Sequence, residues 1–95
     1  MSAPKKPIIP DNLRSDLSVN EMCDEAVIDE INSVNIDFSN KKVGHIKIQE
    51  SLFSACSFNN STLEQFEISN VRFKNCNFAN TKLIEANIEQ VEFVS

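Results

Sequence analysis

Residues 56–95, written in fives, read CSFNN STLEQ FEISN VRFKN CNFAN TKLIE ANIEQ VEFVS. The middle residue of each group is large and apolar: Phe58, Leu63, Ile68, Phe73, Phe78, Leu83, Ile88 and Phe93. Backward, the series continues unbroken through Phe53, Ile48, Val43 and Phe38. With 41% of the chain hydrophobic, twelve consecutive hits have chance odds of about two in a hundred thousand. Ordinary secondary structure does not produce this spacing. Five residues advance about 140° around an α-helix, so the hits would spiral over its surface. On a flat strand five is an odd step, and the hits would alternate faces. The path that keeps all twelve inside turns a corner every five residues.

A second column agrees. The first residues of the groups are Ile36, Lys41, Ile46, Ser51, Cys56, Ser61, Phe66, Val71, Cys76, Thr81, Ala86 and Val91, small or apolar except Lys41. The other three positions of each group are mostly polar, so each unit places two residues inward and three outward. A longer period is nested in the first. Phe38, Phe58 and Phe78 recur at a spacing of twenty, as do Ile48, Ile68 and Ile88, Phe53, Phe73 and Phe93, and outside Asn40, Asn60 and Asn80. Val43, Leu63 and Leu83 complete the set. Four units per turn stack like on like. The result is a four-sided solenoid with three regular coils, 36–55, 56–75 and 76–95, rising about 4.8 Å per coil. The twelve large residues are its expected core.

Units such as Cys76-Asn77-Phe78-Ala79-Asn80 and Ala86-Asn87-Ile88-Glu89-Gln90 resemble the pentapeptide-repeat proteins. That consensus has a small residue, Asn or Asp, Leu or Phe, then two variable positions. The resemblance covers residues 36–95, fades back to about Ala26, and implies a right-handed quadrilateral parallel β-helix. Lys41 departs from it, which predicts an irregular first coil or a charge that snorkels outward. Phe66 is large where the family keeps a small residue, which predicts a local bulge. The phrase from Lys6 to Leu13 is similar to the start of a bacterial subgroup of unassigned role.

The length makes one domain, divided into an arm and cap over residues 1–25 and the solenoid over 26–95. All three prolines, Pro4, Pro7 and Pro10, lie in the arm, and none interrupts the repeat, whose N–H groups feed a ladder. Ser18-Val19-Asn20-Glu21 fits a capping box, predicting a short helix near 19–27. The competing reading extends the fives backward through Ala26/Ile28 and Ile31/Ser33. Either way the segment covers the N-terminal end of the first coil. No apolar run has the length of a membrane span, and the N-terminus lacks the apolar region of a signal peptide. A cytoplasmic protein is expected.

Catalysis is not. His45, the single histidine, falls in an outward column beside Lys42 and Gly44, without partners for general-base work. Cys56 and Cys76 share an inward column and read as reduced, inert thiols. There is no CxxC pattern and no phosphate-cradling glycine loop, so no metal or cofactor is expected. The net charge is −5, of which residues 1–35 carry −4 and residues 36–95 only −1. Net acidity and inward aromatics disfavour nucleic-acid binding.

The reading that follows is a non-catalytic interaction or scaffold module with a protein partner. The alternative comes from the resemblance. Quinolone-resistance pentapeptide proteins are acidic DNA mimics that occupy a type II topoisomerase, and a gyrase supercoiling assay with and without a fluoroquinolone tests that role. Such mimicry needs a continuous negative stripe, which a three-coil rod of charge −1 does not provide. Finally, the chain stops at Ser95 without a capping helix. Phe78, Leu83, Ile88 and Phe93 are expected to face outward end-on, either as a truncated edge or as the contact of a homodimer.

Overall fold

A chain that turns every five residues needs a backbone able to turn there. Every fifth residue from Glu25 to Gln90 has a positive φ, between 47° and 64°, and none of them is glycine. Six are asparagines, Asn35, Asn40, Asn60, Asn70, Asn75 and Asn80, the side chain that tolerates the left-handed region best after glycine. The Asn40/Asn60/Asn80 column is thus explained by its backbone. Side-chain bonds between coils occur at other corners, where Gln65 Nε2 donates to Glu85 Oε2 at 3.0 Å and Gln90 Nε2 donates to Asn70 Oδ1.

The computed structural model describes residues 7–15 and 21–94. Its strands are β1 (Val27–Asp29), β2 (Asn32–Val34), β3 (Lys42–Gly44), β4 (Lys47–Ser54), β5 (Thr62–Glu64), β6 (Glu67–Lys74), β7 (Lys82–Ile84) and β8 (Asn87–Val94). All pairing between these strands is parallel, and each partner lies twenty residues on, as in Ile48↔Ile68 and Phe53↔Phe73. One sheet runs β1-β4-β6-β8, with β2 also on β4; the other runs β3-β5-β7. The Phe38 side is held by the bridges Asp37↔Ser57 and Ser57↔Asn77. The chain is a parallel β-solenoid of about three turns. At the corners of Glu50, Asn70 and Gln90 the strand runs through, so two sides share one long strand.

Stacking like on like builds the core. Phe38, Phe58 and Phe78 form one pile with centroids 5.2 and 5.0 Å apart. Phe53, Phe73 and Phe93 form another at 5.2 and 5.3 Å. The piles meet edge to face at 5.2 to 6.1 Å, a favourable geometry for ring quadrupoles. Small inward residues stitch successive coils. Ser61 Oγ donates to Phe38 O at 3.0 Å, Thr81 Oγ1 to Phe58 O at 2.7 Å, and Cys76 Sγ to Phe53 O at 3.3 Å.

Three expectations need correction. Over residues 21–27 there is no α-helix (residues 19 and 20 lie outside the described residues), and the five-residue turns continue back to Glu25. Ladder templating on residues 47–49 outweighs the local capping signal there. Phe66 is fully buried and causes no bulge, since Glu67 N donates to Ile46 O at 2.8 Å and Asn87 N to Phe66 O at 2.9 Å, both in register. Its column reads Ala26, Ile46, Phe66, Ala86, so a small neighbour offsets its volume. Eight of the twelve column residues, Phe38 to Phe73, are buried, but Phe78 is half-buried and Leu83, Ile88 and Phe93 are exposed. Lys41 is half-buried within a regular coil, as snorkelling requires. At the other end Met22 and Ile31 are buried, and Arg14 bridges Ile31, which covers the first coil.

Candidate functional site

Four of the inward hydroxyls and thiols are committed to the fold. Ser61, Thr81, Cys56 and Cys76 all donate to backbone carbonyls of the preceding coil. Burial raises the pKa of both thiols, so the neutral form is favoured, and all three cysteines are free. Asp37 is shifted the other way. The Ser39 hydroxyl and then the Ser39 N–H donate to its carboxylate and hold its pKa below the usual value. This is a turn-closing bond, with no acid–base partner attached.

Ligating groups gather at a corner that the repeat pattern did not single out. Carboxylate oxygens of Asp29, Glu30 and Glu50 lie within 4.8 Å of one another. Asp29 Oδ1 is buried without a hydrogen-bond partner. Hard oxygen donors of this kind suit a divalent cation such as calcium, though exposed acids converge for other reasons as well. Glu30 and Glu50 share one corner column, and Glu30 N donates to Gln49 O at 3.2 Å. The convergence is visible only once residues twenty apart are known to be stacked.

A second concavity surrounds Gly44 and His45. Gly44 has an ordinary φ, and a Cβ there would meet only Glu64 O, at 3.8 Å. Beside it lies a shallow cavity of about 440 Å³, rimmed by Asp24, Glu25, Lys42, His45 and Glu64. Asp24 Oδ1 accepts the Gly44 N–H at 2.8 Å. His45 stands exposed at the corner, as its outward column implied. The notch offers carboxylates to a cation, with Lys42 in opposition, and holds no nucleophile–base pair that would make it a catalytic centre.

The largest departure from a sealed surface is the last coil. Leu83 is 42% exposed, Ile88 47% and Phe93 60%, and Ile84 and Val94 join them. This is the set expected end-on, with Phe78 more covered than the others. Among the described residues, no helix is long and apolar enough to cross a membrane. The family model for pentapeptide repeats matches residues 51–90 with eight copies. No curated protein and no solved structure matches the chain significantly.

Proposed function

The chain is a pentapeptide-repeat protein, and from that premise we propose that it acts without catalysis, as a protein-interaction or scaffold module. The observation that carries this reading is the distribution of exposed apolar groups. Of the eight exposed large hydrophobic residues among those described, five, Leu83, Ile84, Ile88, Phe93 and Val94, lie on the last coil. Contiguous apolar surface of this kind marks contact with another macromolecule. Among the described residues β7 and β8 are the terminal strands of their sheets, so their outer backbone groups are available for pairing.

The partner we assign to this face is a second copy. The first coil is covered by Met22 and by the Arg14–Ile31 bridge, which obstructs head-to-tail stacking. A tail-to-tail two-fold arrangement closes on itself. Light scattering across a concentration series tests it, with Phe93→Glu as the disrupting variant. A wild type that stays monomeric and well folded at high concentration removes the dimer reading. Electrostatics argue against topoisomerase mimicry. The outward column Lys47, Glu67, Asn87 mixes signs, as does Leu52, Arg72, Glu92, where Arg72 Nε contacts Glu92 Oε1 at 2.7 Å.

A further inference from the structure

The arm before the solenoid is tied down at two points of unequal strength. At its inner end Arg14 joins the ladder: its N–H donates to Glu30 O at 2.8 Å, and its carbonyl accepts from Asn32 N at 2.7 Å. At its outer end Ile8 N–H donates to the side-chain oxygen of Asn70 at 3.0 Å. Glu30 and Asn70 stand in the same corner column, two coils apart. Arg14 itself stacks one coil before Ile31, so the arm climbs three coils, about 15 Å, and six residues reach up to about 20 Å. The arm therefore spans this rise in a largely extended form.

The residues between the ties explain why the outer one is weak. Pro7 and Pro10 flank Ile8 and Ile9 and have no N–H to give a ladder. The Ile8 side chain is 72% exposed, while Pro7, Ile9, Pro10 and Leu13 are half-buried. Among the described residues, a hydrogen bond to a side chain and partial apolar cover hold the outer end, while backbone bonds of the ladder hold the inner end. Asn70 Oδ1 also accepts from Gln90 Nε2, so the acceptor stays oriented when the arm leaves.

We infer that residues 7–13 form a releasable latch, hinged before Arg14 and closed on Asn70. In the open state Asn70 presents its oxygen to the backbone N–H of another extended, proline-flanked aliphatic segment, the chemistry it binds in cis. This is independent of the contact assigned to the last coil.

The test is ¹⁵N relaxation and amide exchange on the full chain. In the wild type, Ile8 and Ile9 should show heteronuclear NOE values near those of the solenoid. Asn70→Gly keeps the positive φ and removes the acceptor. It should shift the latch toward open by about two- to tenfold, the range for one neutral hydrogen bond, with the Arg14 and Asn32 amides still protected. Asn70→Asp, which keeps an acceptor, should restore closure, and Gln90→Ala should leave Ile8 ordered. A wild-type arm as mobile as that of the Asn70→Gly chain overturns the latch. So does simultaneous release of Ile8 and Arg14, which would make arm and cap one unit.

Discussion

Phe58 and Phe93 occupy equivalent positions in the repeat and should differ sharply in what they contribute. Phe58 touches four rings: Phe38 and Phe78 stacked at 5.2 and 5.0 Å, and Phe53 and Phe73 edge-on at 5.8 Å each. Phe93 touches two, Phe73 at 5.3 Å and Phe78 at 5.5 Å, and is 60% exposed against 2% for Phe58. Leucine at either position keeps an apolar side chain and loses the ring terms. At about 0.5 kcal/mol per contact, the low end for aromatic pairs, Phe58→Leu costs about 2 kcal/mol before any cavity contribution. Phe93→Leu costs less than about 1 kcal/mol, since solvent already occupies much of its surroundings. Urea unfolding followed by far-UV circular dichroism suits a chain without Trp or Tyr, and the midpoints convert through a shared m-value. Dilute protein must be used, because a dimer through the last coil would cover Phe93. Equal losses for the two variants at concentrations where the chain is monomeric would refute the claim that stacking within the coils, rather than residue type, sets the contribution of each ring.

Three further outcomes follow from the same geometry. Ala55 is the one corner residue with neither a polar side chain nor glycine's freedom, at φ 54°. Ala55→Asn should raise stability by about 0.5–1 kcal/mol, read as a higher melting temperature; a lower one contradicts the strain argument. Ser33 is buried in the column of Phe53 and Phe73, and its Oγ has no hydrogen-bond partner. Ser33→Ala should therefore be neutral or stabilising by up to about 1 kcal/mol in urea titrations, and a clear loss would reveal a bond to that hydroxyl. Burial raises the pKa of Cys56 and Cys76 above 9.0. Below 9.0 both states hold the proton; above it the unfolded chain releases it first, so stability should fall as pH climbs past 9.0 toward the raised values. The Cys56→Ser/Cys76→Ser chain, which keeps the donors to the carbonyls, should lose this part of the alkaline slope, and an unchanged slope would assign it to other groups.

The fold could be read almost entirely from the chain because the inward columns repeat every twenty residues with the same chemistry. Phe on Phe and Ile on Ile leave one register that satisfies every side at once. The stretch before Ala26 was harder. Ser18 to Glu21 carries a local helix signal, while the five-residue pattern there is thin, with Ser33 standing where later coils have phenylalanine. The ladder on β4 decides the outcome, and no local propensity reveals it. The left-handed corners were hidden for a similar reason: Glu30, Glu50, Glu85 and His45 adopt that conformation between or within ladder strands rather than from their own propensity. Of the candidate surfaces, the apolar end was legible because its residues belong to the repeat. The carboxylates of Asp29, Glu30 and Glu50, the notch at Gly44 and the Ile8–Asn70 contact were not. Each joins residues twenty or more apart in outward columns, where the pattern constrains identity only loosely.

The uniform offset of twenty between partners also makes the chain a ruler. Removing one residue inside the solenoid would turn every later inward side chain outward by one place. Removing five would keep the inside inside but move each column to the next wall, setting leucine against phenylalanine on one wall and phenylalanine against isoleucine on another. Only the loss or gain of a whole coil restores every neighbour. Such a protein changes length in steps of one coil, and its surface pattern is inherited or duplicated as a complete ring of four walls.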